Sequence, residues 1–403
     1  MLKYPYARPT VTKEDEKEVI KALKGQFLTG GKIIKNFENK ITNTFKSKYA
    51  IVCNSGTAAL HLIYKSLGLS KGDSILTTPV TFLATASAAK MCNANVCFSD
   101  VDPDTGLVIP ELLENKLKNR KLNIKIVTVV HLGGRICNLE EISDICKKYK
   151  CYLVEDACHA PGTHYINKKN IKTNIGSCNY SIASSFSFHA IKHITMAEGG
   201  CITTNNKSLN NKIRLLLNHS MERKNYKNQT SGNFSRPWYY KVSDLGWNYR
   251  ASEINCALGL SQIKRLKKII IKRKEIANYY YKELKDFSYV NFPKNAFSDN
   301  TNAWHLFTVL IDFKKLGLSK SKIVNDLFKK GIGTQVHYIP LFLQPFYKNK
   351  DKNIYKGSLE YYSKNLSLPM YDTLEKRDIV YISRKLKEVI FNNIKKQTKK
   401  NVK

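Results

Sequence analysis

The sequence predicts an α/β fold: a mainly parallel central sheet covered by helices on both faces, with a smaller α+β unit toward the C-terminus. Three observations carry this. Strand-like runs such as "AIVCNS" and "IKIVTVVHLGG" are apolar throughout, as strands buried on both faces must be. They alternate with helical patterns over about the first 200 residues, the texture of βαβ units. Beyond residue 255 that texture gives way to one long helical pattern, then separate strand and helix signals.

Taken in order, "KEDEKEVIKALKG" reads as a helix ending at Gly25 and "KNFENKITNTFKS" as a second. "AIVCNS" is a strand that turns at "SGT" into the helix "AALHLIYKSLGL". "SILTTP", "TFLATASAAKMC" and "ANVCFSDVD" continue as strand, helix, strand. "IKIVTVVHLGG", the helix "NLEEISDICKKYK" and the strand "CYLVEDA" repeat the unit. "SSFSF" and "CITTN" are strands flanking the turn "HAIKHITMAEGG". The pattern "EINCALGLSQIKRLKKIIIKRKEIANYYYKELK" is too long for one helix without a bend. "AWHLFTVLID" then reads as a strand, "SKSKIVNDLFKKG" as a helix and "IGTQVHY" as a second strand. The expected domains are residues 1–260 and 261–403. The stretch from His219 to Asn248 has no period, which inside a compact protein marks a functional loop.

The chain has 403 residues and a formal net charge of +35. Such a charge first suggests a nucleic-acid or anionic-surface partner. The basic residues are mostly lysine, however, and are dispersed among many Asn and Ile, whereas arginine, suited to bidentate phosphate and base contacts, is scarce. A solvated surface is the better reading, with no nucleic-acid partner. Only "KKQTKKNVK", Lys395 to Lys403, is a charge run, expected to be a frayed terminus. The ten cysteines form no CxxC pair and several lie in apolar runs, as reduced structural thiols of a cytosolic protein would. No metal site is expected. No signal peptide opens the chain and no apolar run approaches the roughly 20 residues of a membrane span, so a soluble cytoplasmic protein is expected.

In an open α/β sheet the carboxyl ends of the strands are where ligands bind. After "AIVC", Asn54-Ser55-Gly56-Thr57 opens a helix, and free backbone N–H groups there suit a phosphate, although every helix needs an N-cap. "CYLVEDA" ends in Glu155-Asp156. A strand-end carboxylate is costly unless paired, so Asp156 calls for a cationic partner, or else simply caps the next turn. Lys192 lies in an irregular turn between two strands, where a desolvated amine can form a Schiff base. Phosphate cradle, carboxylate and amine are what pyridoxal phosphate needs.

With these residues in view, "NSGTAALHL", "VEDACHAPGTHY", "FSFHAIKHITMAEGG" and "LGWNYRASEINCALGLSQIKRL" resemble the signature blocks of the DegT/DnrJ/EryC1/StrS sugar aminotransferases. The resemblance runs from about Tyr6 to "LSLPMY". It implies fold type I, the aspartate aminotransferase-like architecture, with pyridoxal 5'-phosphate as cofactor, pyridoxamine 5'-phosphate as intermediate, and a homodimer with shared active sites. Within the family, "RPWYYKVSDLG", "FSFHAIK" and "TQVHYIPLFLQPFY" are most similar to the pseudaminic acid branch, the UDP-4-amino-4,6-dideoxy-N-acetyl-β-L-altrosamine transaminases.

That resemblance implies that Lys192 is the Schiff-base lysine and the acid/base at sugar C4. Asp156 pairs with the pyridine nitrogen and His159 lies near the ring. Gly56, Thr57 and Ser187 hold the phosphate or line its pocket, Phe82 stacks on the ring, and Asn248 reaches the phosphate in the other subunit. Tyr6, Gln26, Phe27, Leu28, Thr29, Ser55, His337 and Tyr338 match sugar-nucleotide positions. Trp238 and Tyr239 are further candidates for stacking on uracil. Two positions depart from the common pattern: His193 after the lysine, and Ser220 after His219. The implied substrates are L-glutamate and UDP-2-acetamido-2,6-dideoxy-β-L-arabino-hex-4-ulose. Rival substrates are dTDP-4-keto or 3-keto sugars. A dehydratase variant of the family carries histidine where this chain has Lys192. A basic binding protein remains the rival from another class.

Overall fold

The computed structural model describes residues 2–222, 238–297, 301–347 and 354–401. The first two helices are α1 (Lys13–Leu23) and α2 (Lys32–Phe45). Helix α1 starts at a reciprocal cap: the Thr12 hydroxyl accepts from Asp15 N–H while Asp15 accepts from Thr12 N–H. The α/β units follow as β1 (Tyr49–Cys53), α3 (Gly56–Ser66), β2 (Ser74–Thr77), α4 (Ala84–Met91), β3 (Asn95–Phe98), α5 (Pro110–Lys118), β4 (Ile124–Val130), α6 (Leu139–Tyr149) and β5 (Tyr152–Asp156). A hairpin of β6 (His164–Ile166) and β7 (Lys172–Asn174) precedes β8 (Ala183–Ser187), β9 (Gly200–Thr204) and α7 (Lys207–Leu217).

The central sheet has seven strands in the order β1-β9-β8-β5-β4-β2-β3. Neighbours from β8 through β5, β4 and β2 to β3 are parallel, whereas β9 runs antiparallel to both β1 and β8. The sheet is mainly parallel, as the apolar strands require. One core, with Phe37, Phe45, Val127, Phe186 and Phe188, fills one side, and a second, with Leu60, Ile63, Tyr64 and Ile75, fills the other.

The segment from 219 to 248 is pinned at its base by β10 (Met221–Glu222) and β11 (Lys241–Val242), an antiparallel pair. The long helical pattern divides into α8 (Glu253–Ile263) and α9 (Leu266–Leu284), which supplies the expected bend at Lys264-Arg265. Helix α9 changes core along its length. Leu266 and Ile269 pack with the sheet, and Ile276, Tyr280 and Leu284 pack with a separate cluster built on β12 (Phe307–Leu310), α10 (Lys320–Lys329), β13 (Asn365–Leu368) and α12 (Lys376–Asn401). Helix α11 (Lys356–Lys364) closes the set.

Two expectations are corrected. "IGTQVHY" forms no strand. Its backbone is divided between partners, Gly333 N–H donating to Tyr4 and Gln335 N–H to Ser367, so each pairing is a single bridge. The strand that pairs with β12 is β13 instead. The basic tail is not frayed through its length: α12 continues to Asn401, anchored by the buried stripe Ile379, Ile382, Leu386, Val389 and Ile390. No helix among the described residues is long and apolar enough to cross a membrane.

Candidate active site

Strand β1 delivers the chain to the start of α3, where the Ser55 hydroxyl caps the helix by accepting from Ala58 N–H at 3.1 Å. That hydroxyl, expected to meet substrate, is engaged in the cap. Gly56 then lies against the end of β8: a Cβ there would be 2.9 Å from Ser187 Cβ and 3.4 Å from Cys158 Sγ. A side chain at Gly200 would come within 2.5 Å of the Ser55 carbonyl. These contacts seat the helix start beside Ser187 and leave the N–H groups of Gly56 and Thr57 at the positive end of the helix dipole. Such an end suits an anion, and it lies at the carboxyl edge of the sheet.

Asp156 closes β5 and is buried. Its Oδ2 accepts from the Thr85 hydroxyl at 2.7 Å and its Oδ1 from Cys158 N–H at 3.2 Å. Thr85 is itself linked to Thr81 at 2.9 Å, and its carbonyl accepts from Tyr64. The cationic side chain expected to pair with Asp156 is not there: among the described residues it makes no ion pair, and its partners are a hydroxyl and a backbone N–H. Thr85 escaped the sequence reading, although it stands in the same "TFLAT" run as Phe82. Glu155, one residue earlier, faces the opposite side of the sheet. There it accepts from Ser184 and Ser181 and from His131 Nε2 at 3.1 Å.

Lys192 sits in the turn between β8 and β9, half-buried, its N–H donating to the His189 carbonyl. Burial lowers the pKa of its amine below the usual lysine range, against the pull of the Asp156 carboxylate.

A column of rings stands beside it. His159 stacks on His305 at 4.2 Å between centroids, and His305 lies 5.3 Å from His193. At the other end His159 Nε2 is 3.3 Å from the Tyr338 hydroxyl, and Gly133 N–H donates to His159 Nδ1 at 3.2 Å. His193 Nε2 donates to the Ala303 carbonyl at 2.8 Å. Burial, aided by Lys192, pushes all three imidazoles well below the usual histidine range. His337 is pushed down to about 3 by the same two causes, with Nδ1 2.9 Å from the Ser367 hydroxyl. Tyr6 and His337 are 5.7 Å apart, and Phe82, 52% exposed, is 6.1 Å from Tyr338. His305 was missed, because "AWHLF" shows only a strand.

The remaining predicted residues sit outside this group. Gln26, Phe27, Leu28 and Thr29 are exposed, with the Leu28 carbonyl held at 2.8 Å by Glu253 N–H. Trp238 is 76% exposed, and Tyr239 and Asn248 are exposed as well. The Asn248 carbonyl accepts from the Asn54 side chain at 3.5 Å. The "RP" of "RPWYY" lies outside the described residues.

A helix start beside Ser187, a buried carboxylate without an ion pair and a desolvated amine are complementary to the phosphate, ring nitrogen and aldehyde of pyridoxal phosphate. A family model for the DegT/DnrJ/EryC1/StrS aminotransferases matches residues 9–387. The UDP-4-amino-4,6-dideoxy-N-acetyl-beta-L-altrosamine transaminase of Campylobacter jejuni is 36% identical over 395 residues, 98% of each chain. A spore coat polysaccharide biosynthesis protein of Bacillus subtilis is 33% identical, over 96% of this chain and 97% of that one. The solved structure of Helicobacter pylori PseC, an aminotransferase of pseudaminic acid biosynthesis, superposes with a TM-score of 0.86 at 30% identity, covering 96% of this chain and 99% of that one. With the match extending across the sheet, the lysine turn and the second core alike, this chain belongs to the DegT/DnrJ/EryC1/StrS aminotransferase family.

Proposed function

We propose that this protein is a pyridoxal phosphate-dependent nucleotide-sugar aminotransferase. It moves the amino group of L-glutamate to C4 of UDP-2-acetamido-2,6-dideoxy-β-L-arabino-hex-4-ulose, giving UDP-4-amino-4,6-dideoxy-N-acetyl-β-L-altrosamine. The observation that carries this reading is a desolvated Lys192 within the electrostatic reach of the buried strand-end Asp156, beside a helix start. The sugar follows from the likeness to the Campylobacter and Helicobacter enzymes.

When bound, the cofactor supplies an electron sink and a carrier for the amino group. Gly56 and Thr57 N–H, with Ser187, would hold its phosphate. Asp156, buried and fixed by Thr85 and Cys158 N–H, would keep the pyridine nitrogen protonated. Lys192 would anchor the cofactor and then carry the proton between it and sugar C4, a task that needs an amine partly unprotonated near neutral pH. His159, held neutral, offers a flat uncharged face beside the ring. Tyr6, His337 and Tyr338 form the inner wall for the sugar.

The exposed apolar side chains Phe27, Leu28 and Trp238 support a homodimer that covers them and brings Asn248 to the partner's phosphate. The ten free cysteines suit a reducing cytoplasm.

The test is a panel of UDP- and dTDP-linked 4-keto and 3-keto sugars incubated with glutamate, with products identified by NMR. Turnover of the β-L-arabino sugar is expected; turnover of dTDP sugars alone would overturn the substrate assignment. Lys192→Ala should be folded, colourless and inactive.

A further inference from the structure

Behind the Lys192 turn lies a small cavity of about 10 Å³, room for one guest the size of a water molecule or a monatomic ion. It is formed where the N-terminal segment, the lysine turn, α8 and α9 meet. Its wall carries four basic side chains, Arg8, Lys192, Arg265 and Arg273, against one carboxylate, Asp372.

Most of these groups are already committed elsewhere. Arg265 Nη2 donates to Asp15 at 2.6 Å and to the Thr10 carbonyl. Arg273 Nη1 donates to the carbonyls of Trp304, His305 and Met370 at 3.1, 3.3 and 3.3 Å. Asp372 accepts from the Thr10 hydroxyl at 2.5 Å. Three residues that line the wall nevertheless each have a buried nitrogen with no hydrogen-bond partner among the described residues: Arg265 Nε, Arg273 Nε and His193 Nδ1. Arg273 and His193 are 2% and 4% exposed, so bulk water does not serve them.

Two of the three are N–H donors on cations. The third is bare, because His193 Nε2 carries the ring proton to Ala303. An anion alone would meet two donors and one lone pair. An anion arriving with a proton would meet three donors, and the pair would bring no net charge into a buried space, where net charge is costly.

We propose that this cavity is a binding site for a monatomic halide-type anion, held by Arg265 Nε and Arg273 Nε and completed by His193 Nδ1 as it takes up a proton. The groups facing His193 are Lys192 from its own turn, Arg273 from α9, the neutral His305 ring, and Arg265, Arg8 and Asp372 across the cavity. Burial first, and then the cations Arg273 and Lys192, hold the ring neutral while the cavity has no anion, and an anion would screen the cations. Exposed Arg8 stands at the mouth. The site shares Lys192 with the proposed cofactor pocket, but Gly56, Thr57, Asp156, His159 and Ser187 do not line it, so the proposal does not depend on which nucleotide sugar the enzyme uses.

The experiment is anomalous diffraction from holoenzyme crystals in sodium bromide at about pH 5.5 and about pH 8.5, a range that spans ordinary histidine titration. Calorimetric bromide titrations in two buffers of different ionisation enthalpy count the protons. The expected result is a bromide peak within hydrogen-bonding distance of the three nitrogens, stronger at low pH. One proton should be taken up per ion, with affinity falling about tenfold per pH unit. His193→Asn should remain folded, judged by its melting temperature, and lose the proton uptake. Arg8→Gln should weaken binding without altering the proton count. A water molecule without anomalous signal at both pH values overturns the proposal. So does bromide binding with no proton uptake, or with uptake unchanged in His193→Asn.

Discussion

Gly133 N–H donates to Nδ1 of His159, placing the imidazole proton on Nε2 and facing it toward the Tyr338 hydroxyl. A backbone donor cannot be withdrawn, so a second proton on this ring would have to displace it. Together with burial, this holds the His159 ring neutral near Lys192.

A pH dependence of stability follows. His159, His193, His305 and His337 all have native pKa values lowered by burial, and His61 is lowered to about 4 by the same cause. In the unfolded chain each binds a proton below about pH 6.5, whereas the native state refuses it until far lower pH. The unfolded state therefore binds more protons in that window. The contribution of these five rings is full above about pH 6.5 and falls as the pH drops, by about 1.4 kcal/mol per pH unit for each. His131, raised to about 10 against burial by its bonds to Cys137 and Glu155, works the opposite way, its contribution being full below about pH 6.5 and lost as the pH rises toward 10. Urea unfolding midpoints measured from pH 8 to 5 should decline steeply below about pH 6.5. A flat profile would show that these rings are protonated in the native state.

Thr85 is the residue on which Asp156 depends. Its hydroxyl donates to that carboxylate at 2.7 Å. Thr85→Val keeps the shape and removes the donor, leaving Asp156 Oδ2 short of a partner at a cost of about 1–3 kcal/mol. The expected outcome is weaker pyridoxal phosphate retention and a fall in kcat of about tenfold or more, with Thr85→Ser restoring both. Unchanged cofactor affinity in the valine variant would remove Thr85 from the site.

The close approach at Gly56 gives a paired test. Gly56→Ala places a methyl 2.9 Å from Ser187 Cβ, a distance real contacts do not reach, so helix and strand end must part. Overpacking of this kind typically costs about 1–3 kcal/mol. If that junction seats the cofactor phosphate, cofactor affinity should fall with it. Ser187→Gly in the same chain removes the clashing atom and should recover most of the stability. A double-mutant cycle without coupling would show the two residues are not in contact.

The legible parts of this molecule were those in which local pattern and tertiary demand coincide. Apolar strands bounded by turns follow from burial on both faces of a parallel sheet, and the sequence placed Asp156 at the end of one of them, where the fold has it. Hidden parts were those that depend on long-range placement. Thr85 and His305 carry no periodic signature, and only the folded chain brings them to Asp156 and His159. "IGTQVHY" has the composition of a strand, yet its donors serve two partners distant in sequence, Tyr4 and Ser367. The expected ion pair at Asp156 is replaced by bonds from the Thr85 hydroxyl and the Cys158 N–H, donors that only the fold brings to it.

Glu253 ties the predicted substrate segment to the body of the protein. The carboxylate is buried and accepts from Gly31 N–H at 2.9 Å and Ile33 N–H at 2.8 Å, while its own N–H donates to the Leu28 carbonyl. It caps α2 with a full negative charge at the positive end of the helix dipole, and the cap fixes where residues 26–29 leave the surface. Ile34 N–H is a third donor, to Oε1 at 3.4 Å; Glu253→Gln replaces the charge with an amide whose NH2 cannot accept, so at least one of the three N–H groups is deserted. The expected loss is about 1–2 kcal/mol of stability. If residues 26–29 bind the nucleotide sugar, their displacement should raise KM for the sugar several-fold while KM for glutamate and the cofactor spectrum stay as they are. Equal changes in both KM values would mean that Glu253 supports the whole site and that this segment has no particular role in holding the sugar.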